Sequence, residues 1–355
     1  MNNSPIGFGL LGAGLVARFH ARAIQATSGA QLVGAADLDA VRLARLTSEF
    51  GCRPYGSFDE MLADPAVQVV NVLTPNHLHT EPVVKAARAG KHVLLEKPPA
   101  TSLRDLDAMQ AACAAAGTRV GVVFQLRTLP AVQAIREAIR QGRFGKILHA
   151  DAFMKWYRPA DFYRMDTWRS MRQAGAGVIL QQAIHYIDIL HYLVGPVRRV
   201  QAWASNVMHS EVPIEDTVVA FVTYEKGAQG IIEASTALWP GSDARIEIHG
   251  ESGTAVMVGE HIETWRFRDE QPLDHEVRAY GNTGASTGAS GMDGMSFRPH
   301  QSVIEDMVEA VTNNREPMIT LASSRVTLEI ALAMYVSAEQ STPVVLPLVD
   351  EPALW

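Results

Sequence analysis

The sequence predicts two domains: an α/β domain built on a parallel sheet, then an α+β domain with a large, mostly antiparallel open sheet. Three observations predict it. The chain has 355 residues, more than one average domain holds. Its first third alternates short apolar runs with amphipathic helical patterns, as successive βαβ units do. Beyond residue 124 strands follow one another across turn signals with few helices between them, the habit of antiparallel pairing. The domains are therefore set at 1–124 and 125–355.

Taken in order, residues 6–11 read as a strand, 15–26 as a helix, 31–36 as a strand and 41–50 as a helix. A short segment at 55–57 precedes a helix at 58–63. The apolar run 67–73 is a strand that stops at Thr74-Pro75-Asn76, where proline ends pairing. A helix at 80–89 closes on Gly90, 92–95 is a strand, 103–116 a long Ala-rich helix, and 119–124 completes the set. In the second domain a helix at 130–141 ends at Gly142 and a strand follows at 146–156. The helix 178–194 is closed by Gly195-Pro196. Several strands run from 197 to about 267, with turns at Glu225-Lys226-Gly227 and Gly250-Glu251-Ser252-Gly253. Helices at 299–313 and 322–340 and a short extension at 344–346 end the chain. The segment 280–299 is rich in Gly, Ser and Thr; a mobile lid and a plain flexible insertion both fit it.

Composition narrows the function. Hydrophobic residues make up 47% and charged residues 19%, enough for a sizeable core. A net charge of −7 without a basic stripe excludes a nucleic-acid partner. No uncharged apolar stretch reaches the roughly 20 residues a membrane helix needs, and the apolar N-terminus lacks the positive region of a signal peptide. The expected location is cytoplasmic. Two cysteines, Cys52 and Cys113, far apart, read as reduced thiols.

The first strand runs into Gly12-Ala13-Gly14-Leu15-Val16-Ala17, which opens a helix. Gly12 makes the tight turn, Gly14 lets the backbone approach a pyrophosphate, and Ala17 stands where a third glycine would allow close helix–strand packing. The helix N-terminus then offers free N–H groups to the anion. The second strand ends at Asp37, twenty residues after Ala17, placed for a ribose 2′-hydroxyl. This is a Rossmann dinucleotide site. A carboxylate at Asp37 repels a 2′-phosphate and Leu38 follows it, so the cofactor expected is NAD; NADP is the lesser reading, through Arg42.

Glu96-Lys97-Pro98 follows the fifth strand, and Gly175–Asp188 reads GAGVILQQAIHYID. With the glycine motif and Thr74-Pro75-Asn76 in the same order, the chain resembles the glucose–fructose oxidoreductase, inositol dehydrogenase and rhizopine-catabolism (Gfo/Idh/MocA) family. That resemblance implies NAD(P)-linked oxidation or reduction at a secondary hydroxyl of a sugar, inositol or related polyol. It also implies a homo-dimer or homo-tetramer formed through the C-terminal sheet. Lys97 matches the family's active-site lysine and His185 its catalytic histidine. Gln181 departs from the aspartate usual there; an amide can position a hydroxyl but cannot deprotonate it.

The residues support that chemistry directly. Alcohol oxidation needs a hydride acceptor, a base for the hydroxyl proton and a donor for developing alkoxide character. Gln181, His185 and Asp188 fall at i, i+4 and i+7 of one helix and share a face. An imidazole, with an ordinary pKa of about 6.5, suits His185 as general acid/base, with Gln181 positioning substrate. Asp188 and His191 read as structural. Lys97, past the C-terminal end of a parallel strand, reads as a substrate-facing donor, with a cis Lys97–Pro98 peptide expected from the family. Leu15, Val16, Thr74, Asn76 and Glu96 complete the expected cofactor contacts, beside Gly12, Gly14, Asp37 and Lys97. His77 and His79 are lesser candidates for direct chemistry, His79 being also a candidate cap for the next helix, and His20 reads as structural.

Lys155, Tyr157, Arg158, Trp168 and Arg169 are expected to bind substrate, aromatic faces against sugar C–H surfaces and cations against carboxylate or phosphate. For Trp156 and Trp168 a core-filling role is equally open, and Gln125 and Arg127 are weaker candidates. No histidine pairs with acids or cysteines at metal spacing along the sequence, so no metal is expected. Two other activities stay open. One is an NAD-retaining glycosidase or lyase that works through transient C3 oxidation; the other is a non-catalytic NAD-binding sensor.

Overall fold

The computed structural model describes residues 4–280, 289 and 296–350. The chain divides into two compact units, Met1–Gln125 with Phe297–Arg325, and Leu126–Ser296 with Val326–Trp355.

The first unit is a six-stranded parallel sheet of β1 (Ile6–Leu11), β2 (Ala30–Ala36), β3 (Arg53–Pro54), β4 (Val69–Val72), β5 (His92–Leu95) and β6 (Val120–Val122). Their order is β3-β2-β1-β4-β5-β6, so the chain reverses direction across the sheet between β1 and β4. In open α/β sheets ligands bind outside the carboxyl ends of the strands at such a switch point. The central strands are apolar because helices cover both faces; Phe8, Leu10, Val69, Val70, Val93 and Leu95 are fully buried. Serine hydroxyls cap two helices, Ser57 accepting from the Glu60 N–H and Ser102 from the Asp105 N–H.

The linear boundary at 124/125 needs a correction. Residues 297–325 belong to the first unit, not the second. Helix Arg298–Thr312 packs on helix Ala17–Ala26, and Gln301 Nε2 donates to the Ala26 carbonyl at 3.2 Å. Ile319 O then accepts from Val122 N beside β6. An amphipathic helix announces its apolar face but not the unit that will cover it.

The second unit carries eight strands: β7 (Ile147–Lys155), β8 (Val197–Ser205), β9 (Thr217–Tyr224), β10 (Gln229–Ser235), β11 (Arg245–Gly250), β12 (Gly253–Val258), β13 (His261–Phe267) and β14 (Val344–Val345). Their order is β13-β12-β11-β7-β10-β9-β8-β14, antiparallel at every step except β7 with β10. Along β7, Ala150, Ala152 and Met154 are buried on the face that helix Ile184–Val194 covers. His149, Asp151, Phe153 and Lys155 alternate to the other face.

The single helix expected at 178–194 is two segments. Ile179–Ala183 is a π-helical turn and Ile184–Val194 is α-helical. π turns are single-turn departures that occur frequently at functional sites. Gly177 makes this start possible: a Cβ there would lie 2.1 Å from the Glu215 carboxylate. Glu215 occupies that space and accepts from the Ile179 N–H at 3.2 Å and the Tyr335 hydroxyl at 2.6 Å. Of the segment 280–299, residues 281–288 and 290–295 lie outside the described residues, so the lid and insertion readings are untouched. Among the described residues no helix is long and apolar enough to cross a membrane.

Candidate functional site

In the first unit the glycine turn is built as its sequence requires. Gly12 has φ +109°, and a Cβ there would come 2.8 Å from the Leu73 carbonyl oxygen; only glycine fits. Gly14 differs. Nothing lies within 4 Å of where its Cβ would point, so its missing side chain leaves room for a group from outside. Asp37, at the end of β2, braces the turn: Oδ2 accepts from the Ala13 N–H at 2.5 Å and Oδ1 from the Asp39 N–H at 2.7 Å. Arg42 Nε lies 3.2 Å from Asp39 Oδ2, on an acid rather than poised for a phosphate. Leu15, Leu38 and Val41 expose apolar surface around the turn. This cradle fits a dinucleotide, with the pyrophosphate over Gly14 and the helix Ala17–Ala26, and a ribose near Asp37.

The loops after β4 and β5 are joined by a buried histidine. His79 Nε2 faces the Thr74 carbonyl and Nδ1 the Pro98 carbonyl, each at 2.9 Å. It occupies the N-cap position of helix Thr80–Arg88, yet its side chain caps nothing; it ties the Thr74–Asn76 loop to Lys97-Pro98 instead. Burial pushes its pKa down while the two carbonyls and Glu96 pull it up, and a neutral ring donates to only one carbonyl at a time. The Lys97–Pro98 peptide is cis. Asn76 is buried and Thr74 accessible.

Under these loops lies a polar network the sequence did not disclose. Glu96 Oε2 accepts from the Lys97 N–H at 3.1 Å, and Oε1 meets His20 Nε2 at 2.9 Å. Asn71 Nδ2 donates to His20 Nδ1 at 2.9 Å, which leaves the ring proton on Nε2 for Glu96. His300, on the returning helix, stands edge-on to His20 with ring centroids 5.3 Å apart. Burial opposes the Glu96 charge, but the hydrogen bond from His20, with the Lys97 charge nearby, outweighs it and holds its pKa at about 2. Burial holds His300 at about 4, so it is neutral at neutral pH. His20, Glu96 and His300 present nitrogen and oxygen atoms within 4.8 Å of one another, a proximity hidden by sequence separations of 76 and 204 residues. Asn71's placement on β4 was the missed signal: a lone asparagine inside an apolar strand.

In the second unit, Gln181 stands in the π turn, half-buried, and His185 in the following α-helical turn, buried. Asp188 is structural, as expected. Arg127 grips it with Nε at 2.7 Å and Nη2 at 2.5 Å, and the Thr327 hydroxyl adds a third bond. Arg127 is thereby spoken for as Asp188's partner. Arg158 and Arg169 are buried and share the Phe162 ring, at 5.7 and 4.7 Å from its centroid. Arg158 also lies over Trp156 at 5.0 Å and Arg169 over Trp168 at 4.7 Å. Arg158 Nη1 donates to the carbonyls of Tyr157 and Ala289. Burial pushes the Arg158 pKa down, though a guanidinium remains charged at any physiological pH. The buried indole N–H of Trp156 has no acceptor among the described residues. Lys155 departs from this group. It alternates to the opposite face of the sheet and pairs with Glu233 at 3.3 Å.

The oxidoreductase family with an NAD-binding Rossmann fold matches residues 6–124, and the GFO/IDH/MocA C-terminal domain matches 132–256. The chain belongs to the Gfo/Idh/MocA oxidoreductases. It is 35% identical over 263 residues to a 1,5-anhydro-D-fructose reductase of Ensifer adhaerens, covering 72% of this chain and 76% of that protein. It is 25% identical to the NAD(+)-dependent scyllo-inositol 2-dehydrogenase of Bacillus subtilis over 94% of both chains. Among solved structures, the WlbA dehydrogenase of Bordetella pertussis, in complex with NADH and UDP-GlcNAcA, superposes with TM-score 0.89 at 31% identity, covering 98% of this chain and 99% of that one. The expected fold class and the NAD-binding oxidoreductase assignment hold.

Proposed function

We propose that this member of the family transfers a hydride between NAD and a secondary hydroxyl of a sugar derivative that carries an anionic group. The observation that carries the proposal is the buried pair Arg158 and Arg169, stacked among Trp156, Phe162 and Trp168. Aromatic faces suit sugar C–H surfaces, and guanidinium forks suit carboxylate or phosphate oxygens. The Trp156 N–H, without an acceptor among the described residues, offers one further donor. Support comes from the likeness to the WlbA dehydrogenase, whose bound UDP-GlcNAcA is an anionic nucleotide sugar.

When bound, NAD supplies the hydride acceptor for the carbinol carbon. His185 takes the hydroxyl proton at an imidazole nitrogen, and returns it in the reverse direction. Lys97 is the proposed donor for developing alkoxide character. Gln181 orients the hydroxyl without taking its proton, so the proton-transfer burden falls on His185. Tyr157 and Arg158 bind the substrate's polar rim. Glu96 anchors the Lys97 peptide, and Asp37, Thr74 and Asn76 hold the cofactor with Gly12, Gly14, Leu15 and Val16. The chain assembles as a homo-dimer or homo-tetramer through the second sheet, whose uncovered face exposes Trp203, Val219 and Phe221; light scattering on the purified protein tests that.

The substrate test is NADH formation across uronic acids, nucleotide sugars, neutral sugars and inositols. Anionic sugars should give the highest kcat/KM, and Arg158→Ala and Arg169→Ala should raise their KM. Turnover confined to neutral sugars or inositols would overturn the anion and restore the reading offered by the Ensifer and Bacillus relatives. Aglycone release without net NADH would instead establish the NAD-retaining glycosidase.

A further inference from the structure

We propose that His149, Asp151, Glu247 and His249 form a binding site for a divalent transition-metal ion on the uncovered face of the second unit's sheet. The site does not depend on the reaction proposed above. β7 and β11 run antiparallel with Asp151 opposite Glu247 and His149 opposite His249. Directly opposed residues share a face, with Cβ atoms about 5 Å apart, and two like charges so placed destabilise the pair. Here two carboxylates face each other with an imidazole beside each, a two-by-two block of metal donors.

The distances suit an ion. Donor atoms of Asp151, Glu247 and His249 lie within 4.8 Å of one another. His149 Nδ1 is 2.8 Å from Asp151 Oδ2, and His249 Nε2 is 3.0 Å from Glu247 Oε2. Zinc binds imidazole nitrogen and carboxylate oxygen at about 2.0–2.2 Å, so small rotamer changes seat it between them. The outer atoms are already held. Thr254 Oγ1 meets His249 Nδ1 at 3.2 Å, the Ile231 N–H donates to Asp151 Oδ1 at 2.7 Å, and Arg245 Nε donates to Glu247 Oε1 at 2.5 Å. Such outer partners fix ligand orientation at metal sites. They leave His249 Nε2, Asp151 Oδ2 and Glu247 Oε2 facing inward.

Charge points the same way. Arg245 also pairs with Glu263, so one guanidinium serves Glu247 and Glu263 while Asp151 stands opposite. The group so holds three carboxylates against one guanidinium, a surplus of acid that a divalent ion would offset. The side chains of His149 and His249 are 42% and 37% exposed in the single chain. A mixed imidazole and carboxylate set selects zinc, cobalt, nickel or copper over magnesium and calcium. The buried trio His20, Glu96 and His300 is the weaker candidate. Its three side chains are shut away from solvent.

The test is calorimetric titration of the EDTA-treated full-length protein with Zn2+, and Co2+ titration followed by visible absorption. One site per chain with Kd of about 10 µM or tighter is expected. Binding should weaken about tenfold or more in His149→Ala and His249→Ala, stay unchanged in His300→Ala, and leave NAD-linked turnover intact. His249→Gln, which keeps a partner for Thr254, serves as the milder variant if alanine disturbs the sheet. No saturation below about 1 mM Zn2+, or His249→Ala and His249→Gln binding as wild type does, would overturn the site.

Discussion

The two units assign function to different parts of the chain. In the first, the cofactor cradle is mostly backbone: a turn only glycine can make, a helix N-terminus, and a cis peptide after β5. In the second, the candidate site is side chains: Gln181 and His185 on a helix that begins with a π turn, and two arginines stacked on aromatic rings. The difference teaches where change is tolerated. Backbone sites fail through the fold or through lost space. Side-chain sites fail through chemistry while the fold stands.

The two glycines give the sharpest version of this contrast. Gly12→Ala should cost about 2–3 kcal/mol, since it adds a Cβ 2.8 Å from the Leu73 carbonyl at positive φ; the urea midpoint checks it. Gly14→Val should leave that midpoint nearly unchanged, because nothing lies within 4 Å, yet weaken NAD binding about tenfold or more by filling the phosphate space. If both variants behaved alike, the distinction between a packing glycine and a cofactor glycine would collapse.

Asp37→Ala comes next. It removes the proposed ribose acceptor and also the brace on Ala13 and Asp39. The ratio of kcat/KM for NAD over NADP should fall several-fold, on the order of 1 kcal/mol. An unchanged ratio would mean that Asp37 serves the turn alone.

His300 tests the buried network through pH. Its folded pKa, about 4, lies below the ordinary 6.5, so between those values the unfolded chain binds a proton that the folded chain refuses. Stability from this group is therefore full above about pH 6.5 and is lost as pH falls towards 4. His300→Gln should flatten the urea midpoint across that window. An unaltered slope would assign the acid sensitivity elsewhere. Glu96 acts lower: with its pKa held at about 2, its contribution persists to about pH 4.5 and fades below it.

The same contrast explains what the sequence disclosed. Gly12, Gly14, Asp37 and the alternation of strands and helices were legible because local backbone geometry dictates residue type at fixed spacing. The return of Arg298–Thr312 to the first unit was not, since an amphipathic face carries no address. Nor was the network of His20, Asn71, Glu96 and His300, whose members meet only when distant segments pack. The helix at 178–194 was visible, but its π turn was not; that depends on Gly177 yielding space to Glu215. Lys155 shows the limit of reading a cluster along a strand. Period two sends it to the opposite face from its neighbour Met154.

In the proposed reaction His185 moves the substrate proton and the first unit holds the cofactor. Its most direct test is NADH formation with the best sugar by wild type and His185→Ala, with NAD affinity of both measured by calorimetry. A kcat loss of about 100-fold or more is expected, with NAD affinity unchanged. Wild-type turnover in His185→Ala would contradict it.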